Sequence, residues 1–174
     1  MEPTRRAVLG TVGGLGVTAG CTGGGSETPT ARAGISYSVV NRDAGPHDVL
    51  LAATPNGVTG YEFTYADGET RRVEATDLGE LPAEAFDGAI RLTPVGEGVD
   101  RRELSLAAGE QRRGSFDGLP ADTQVFTAIA PGGEQIRSYG FSWCDVGRME
   151  LDIQLRTGES YEESVRCLDA ASSG

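Results

Sequence analysis

From Ile35 onward one pattern recurs: apolar and polar residues alternate in short runs, and turn residues interrupt the runs every eight to twelve positions. The clearest run is 148–156, where Met149, Leu151, Ile153 and Leu155 share one face while Glu150, Asp152, Gln154 and Arg156 share the other. Successive side chains of an extended strand point to opposite faces, so this run reads as a strand with a dry and a wet side. The stretches 35–41, 48–53, 60–65, 70–75, 89–94, 102–106, 111–116, 124–130 and 135–141 also read as strands. Asp67-Gly68, Pro131-Gly132-Gly133 and Thr157-Gly158-Glu159-Ser160 mark turns between strand-like runs. Only 81–87, with Pro82 near its start, predicts a short helical turn. Many short strands without crossover helices predict an all-β fold, an antiparallel β-sandwich of roughly seven to ten strands spanning residues 34–168.

The residues before this body read as an address. Thr4-Arg5-Arg6-Ala7-Val8-Leu9 opens a glycine-laden apolar run over 7–19. That run falls short of the roughly 20 residues that cross a bilayer, so residues 1–20 read as a signal segment. The pair Arg5 and Arg6, followed by the weakly hydrophobic stretch holding Gly10, Gly13, Gly14 and Gly16, resembles the twin-arginine export signal. Thr18-Ala19-Gly20-Cys21 is similar to a lipobox, with Thr18 where a branched aliphatic residue is usual. The resemblance implies that Cys21 becomes the lipidated first residue of the mature chain and anchors it to the outer face of the membrane. Residues 21–33, rich in Gly, Ser and Thr, then read as a flexible linker with a reach of about 20 Å. The last residues, 169–174, read as a disordered tail.

Charge narrows the environment and the chemistry. The formal net charge is −11, and all 15 basic residues are arginine. A chain without lysine cannot use a lysine Schiff base or a P-loop, and so acidic a surface repels nucleic acid. Excess carboxylates repel one another over about 10 Å in 0.1 M salt but only about 3 Å in 1 M. The composition resembles that of proteins from halophilic archaea. Two local stretches extend the resemblance. The step from Ser115 to Phe126, with Leu119 and Pro120 at its corner, resembles that of fibronectin type III and prealbumin-like sandwiches. The stretch from Val39 to Val49 resembles a hairpin of surface lipoproteins of halophilic archaea. Together they imply an immunoglobulin-like or prealbumin-like sandwich.

With Cys21 lipidated, Cys144 and Cys167 remain as a pair outside the cytoplasm, where a disulfide persists. A hairpin centred near Gly158 places Cys167 opposite Glu150, and a tight turn at 145–147 would put Cys144 on the far flank of the same strand. Those flanks lie about 9.5 Å apart in one sheet, beyond the roughly 7 Å a bridge tolerates. The disulfide therefore requires the strand ending at Cys144 to belong to the facing sheet, with Trp143 packed near the bridge.

Little in the chain points to catalysis. His47 is the only histidine, so a His-pair zinc site is excluded and a blue-copper set of two His with Cys144 and Met149 is incomplete. Gly140-Phe141-Ser142-Trp143-Cys144 lacks the last glycine of a nucleophile elbow. His47 reads as a polar loop residue near Asp43 and Asp48, and Met149 as core. Asp77, Glu80, Glu84 and Asp87 read as a solvated acidic loop without the spacing of a calcium loop. No catalytic residue, metal or cofactor is expected. The sequence thus predicts a non-catalytic cell-surface lipoprotein whose β-sandwich is a binding or structural module of the archaeal envelope, with envelope proteins or a small solute left open as partners. The alternative is an extracellular hydrolase using acidic residues in a cleft.

Overall fold

The structure, a computed structural model, describes residues 32–145, 148–156 and 161–168. Arg5, Arg6, Cys21, most of the linker and the tail lie outside the described residues. Eleven strands occur among those described: β1 (Arg32–Asn41), β2 (His47–Thr54), β3 (Gly60–Tyr65), β4 (Thr70–Val73), β5 (Ala89–Val95), β6 (Asp100–Leu106), β7 (Gln111–Pro120), β8 (Gln124–Pro131), β9 (Ser138–Ser142), β10 (Arg148–Leu155) and β11 (Tyr161–Leu168). Each of the ten expected strands is present. The eleventh, β11, takes the total beyond the range of seven to ten. Of two single-turn 3-10 helices, Ala83–Phe86 lies in the stretch 81–87 expected to turn helically, while Leu78–Glu80 precedes it and was not expected.

The strands form three sheets in the orders β11-β10-β1-β7, β6-β2-β8-β9 and β4-β3-β5. The first and second make an all-β sandwich. Its pairings are antiparallel except that β1 runs parallel to β10, with Ile35, Tyr37 and Val39 beside Met149, Leu151 and Ile153. All six of these residues are buried, so the alternation seen in 148–156 continues across two neighbouring strands. An immunoglobulin constant-type sandwich keeps its first two strands in one sheet. Here β1 and β2 lie in opposite sheets.

The stretch from Val39 to Val49 is correspondingly a corner between sheets and not a hairpin within one. Asn41 fixes it. Its fully buried amide donates to the carbonyls of Gly45, Leu106 and Ala107 at 2.8, 3.1 and 3.1 Å, and its oxygen accepts from the Asp43 amide at 2.9 Å. Those bonds tie the end of β1 to the end of β6 and turn the chain into the second sheet. The other resembling stretch crosses between sheets as expected, from β7 to β8, with Thr123 donating to the Pro120 carbonyl at 2.7 Å.

The third sheet makes the body three layers deep. Residues of β2 divide between two cores: Val49, Leu51 and Ala53 face the first sheet, while Leu50 and Ala52 face the third. Val125 and Ile129 of β8 likewise face the first sheet, and Phe126 and Ala128 the third. The middle sheet is therefore dry on both faces in these strands, and their near-continuous apolar sequences follow from that. Tyr61, Phe63, Ala85 and Leu92 close the second core from the third sheet and its helical turns.

Candidate functional site

The third sheet covers only part of the middle one. On β6 the outward residues Arg101, Glu103 and Ser105 are exposed. Two arginine contacts reach across the gap between β5 and β6. Arg101 donates to the Pro94 carbonyl at 3.1 Å, and Arg91 pairs with Glu103 at 3.0 Å. Between these strands and the loop after β8 lies a groove of about 140 Å³. Leu50 and Ala128 of the middle sheet and Leu92 of β5 form its apolar floor. Ile136 closes one side, held in place because its amide donates to the Ala89 carbonyl at 2.9 Å. Asp48, half-buried at the start of β2, contributes the carboxylate of the lining that has no ion-pair partner among the described residues. Its Oδ1 accepts from the Ser105 hydroxyl at 2.6 Å. An apolar slot with few polar groups at its rim has the composition of a small-molecule site.

The residues singled out by the sequence are placed as follows. Cys144 and Cys167 form a disulfide with Cα atoms 5.6 Å apart. The strand before Cys144, β9, belongs to the middle sheet and β11 to the first, as the distance argument required. The register differs by one residue: Cys167 lies opposite Met149, not Glu150. A shift of one moves a side chain to the other face, and it is this register that turns Cys167 inward toward Cys144. Trp143 also differs. Its carbonyl lies 3.9 Å from the Cys167 sulfur, but the indole is 56% exposed, because it follows Tyr139 and Phe141 onto the opposite side of the sheet beyond the end of β9.

His47 is not a loop residue. It begins β2, is 4% exposed, and its Nε2 lies 2.9 Å from the Asp43 carboxylate, while its Nδ1 is buried without a partner. Ser142 is buried and bonded to Glu163. Pro131 pairs with His47, and Val125 with Ser142, which puts the serine and the imidazole six strand residues apart, about 20 Å. They cannot form a nucleophile–base pair. Met149 is core, 2% exposed. In the acidic loop, Asp77 accepts from the Gly79 amide at 2.6 Å, and Glu80 accepts from the Thr76 amide at 2.8 Å. These two carboxylates form a capping box on the first helical turn. Among the described residues, no three His, Cys, Asp or Glu side chains converge to hold a metal.

Sequence reasoning did not find the groove. Its signal was the unbroken apolar run 49–53 directly after Asp48, which marks a strand covered on both faces with a charge where cover ends.

No protein-family model matches the chain, and no curated protein is significantly similar to it. Among solved structures it is similar to the T6SS lipoprotein TssJ1 from Pseudomonas aeruginosa, with 18% identity and a TM-score of 0.39 over 80% of this chain and 99% of that one. It is also similar to the human-specific toxin intermedilysin, with 9% identity and a TM-score of 0.35 over 78% of this chain. Suilysin from Streptococcus suis gives 10% identity and a TM-score of 0.35 over the same share. The chain spans 24% of the length of either toxin.

Proposed function

We propose that the chain is a non-catalytic surface lipoprotein of an organism adapted to salty water. In this reading residues 1–20 direct export through Arg5 and Arg6, Cys21 carries the lipid, and the linker holds the sandwich off the outer face of the membrane. The sandwich then acts as a binding module, taking a small solute or one side chain of an envelope partner into the groove between its second and third layers. The observation that carries the binding role is the groove itself: an apolar floor of Leu50, Leu92 and Ala128 with the uncompensated Asp48 at its rim. At about 140 Å³ it is too small for a polymeric substrate, and the second carboxylate there, Glu103, is already paired with Arg91. The chain's single imidazole is enclosed and engaged with Asp43. These features favour binding over hydrolysis.

The anchor is tested by fractionating cells that express the wild type, Cys21→Ser and the double variant Arg5→Lys, Arg6→Lys. The expected outcome is wild type in the membrane fraction, the cysteine variant in the medium, and the double variant retained inside the cell. Unchanged membrane partitioning of the cysteine variant would refute lipidation.

A further inference from the structure

We infer that the groove takes a small organic ammonium, an apolar body about the size of benzene bearing one protonated amine that reaches Asp48. The inference rests on the groove being a binding site and adds the chemistry of what enters it.

Size and lining set the body. The volume of about 140 Å³ is close to that of engineered apolar cavities, ~150 Å³, that take up benzene. Leu50 and Ala128 each keep 5% of their surface open at the floor, in front of the fully buried Leu92, and half-buried Ile136 stands beside them, so these side chains offer hydrophobic contact and no hydrogen-bond donor.

Charge sets the head. Three ionisable side chains line the groove: Asp48, Arg91 and Glu103. Arg91 and Glu103 neutralise each other at 3.0 Å, which leaves Asp48 as the net charge of the site. One Asp48 oxygen is taken by Ser105. The other lies 3.9 Å from where a Cβ on Gly133 would stand, so the glycine sets no side chain against it. A half-buried carboxylate beside an apolar wall attracts a cation more strongly than it would in open water, and it repels anions. A calcium ion takes six to eight oxygen ligands, and a single carboxylate does not supply them. An amine with an apolar body satisfies both the floor and the rim.

The test uses the full chain, isotopically labelled, in molar KCl near neutral pH. It is titrated with 3-methylbutylammonium and, separately, with 3-methylbutan-1-ol, which has the same body without the charge. The amine is expected to bind about tenfold more tightly and to shift the amides of residues 48–50 and 128–130. Asp48→Asn, which can still accept from Ser105, should level the two affinities. Ala128→Leu, which fills the groove, should abolish both, with thermal melts confirming that each variant is folded. If Ala128→Leu fails to fold, the isosteric Asp48→Asn carries the comparison. Equal affinity in the wild type, or a preference for the amine that survives in Asp48→Asn, overturns the ammonium assignment while the groove remains a binding site. Binding of neither probe overturns both.

Discussion

Tyr61 carries its hydroxyl into the dry layer between the middle and third sheets, where the side chain is fully buried and the oxygen has no hydrogen-bond partner. Burial, reinforced by the negative charges of Asp77 and Glu80, raises its pKa from 10.0 to about 12. Below pH 10 the hydroxyl is protonated in both the folded and the unfolded chain, and stability is unaffected by its titration. Between pH 10 and about 12 the unfolded chain releases a proton that the fold retains, so stability falls as pH rises, by roughly 1.4 kcal/mol per pH unit. Tyr61→Phe removes the orphaned oxygen without changing the ring. It is expected to be about 1 kcal/mol more stable than the wild type at pH 8, with the gap widening by pH 11. Urea unfolding of both proteins at the two pH values measures this, and a gap that stays constant would show that Tyr61 does not titrate in the unfolded chain alone. None of this was legible in the sequence. Tyr61 sits in a run that reads as an ordinary strand, and its isolation depends on a capping loop fifteen or more residues away.

At the scale of elements, alternation located the strands because each half-covered strand must show it. It did not reveal the number of layers. The runs 49–53 and 125–130 lack alternation because β2 and β8 are covered twice, and counting them as strands missed what their continuity meant. The disulfide was more legible, since strand spacing forced Cys144 into the facing sheet without any knowledge of strand order. Its mechanical role follows from where β11 lies. This strand is at the edge of the first sheet, and its inward residue Val165 remains 37% exposed, so apart from its ladder to β10 it is held by the bridge, the Ser142–Glu163 bond and the contact of Tyr161 with the first core. Reduction should destabilise the protein by about 3 kcal/mol on the chain-entropy model. The loss should also be local. Amide exchange is expected to accelerate across Tyr161–Leu168, whereas β10, held by β1 on its other side, stays protected. Exchange that rises evenly over both strands would mean that the bridge stabilises the whole sandwich and not its edge.

For the whole molecule, the balance of charge decides how stability responds to salt, and two effects of opposite sign compete. Arginine–carboxylate pairs lie on the surface, among them Arg91 with Glu103 at 3.0 Å, Arg166 with Asp152 at 3.3 Å and Arg137 with Glu134 at 3.4 Å. Each is worth at most about 1 kcal/mol and weakens as salt rises. Against them stands the mutual repulsion of 26 acidic residues that 15 arginines cannot offset, and salt weakens that too. Pairing consumes charges one for one, so the surplus of −11 is left wholly to repulsion, and the repulsive effect is the larger. The thermal midpoint should therefore rise between about 0.1 M and about 3 M KCl. Its shape identifies the cause. The screening length falls from about 10 Å to about 3 Å over the first molar of salt and little thereafter, so relief of repulsion should deliver most of the gain below 1 M. A midpoint that climbs steadily to 3 M would instead indicate exclusion of salt from the protein surface, strengthening apolar burial in the two cores. Calorimetric melts over a KCl series separate the two. A flat or falling midpoint would remove the physical basis for reading this acidic, lysine-free composition as an adaptation to salt.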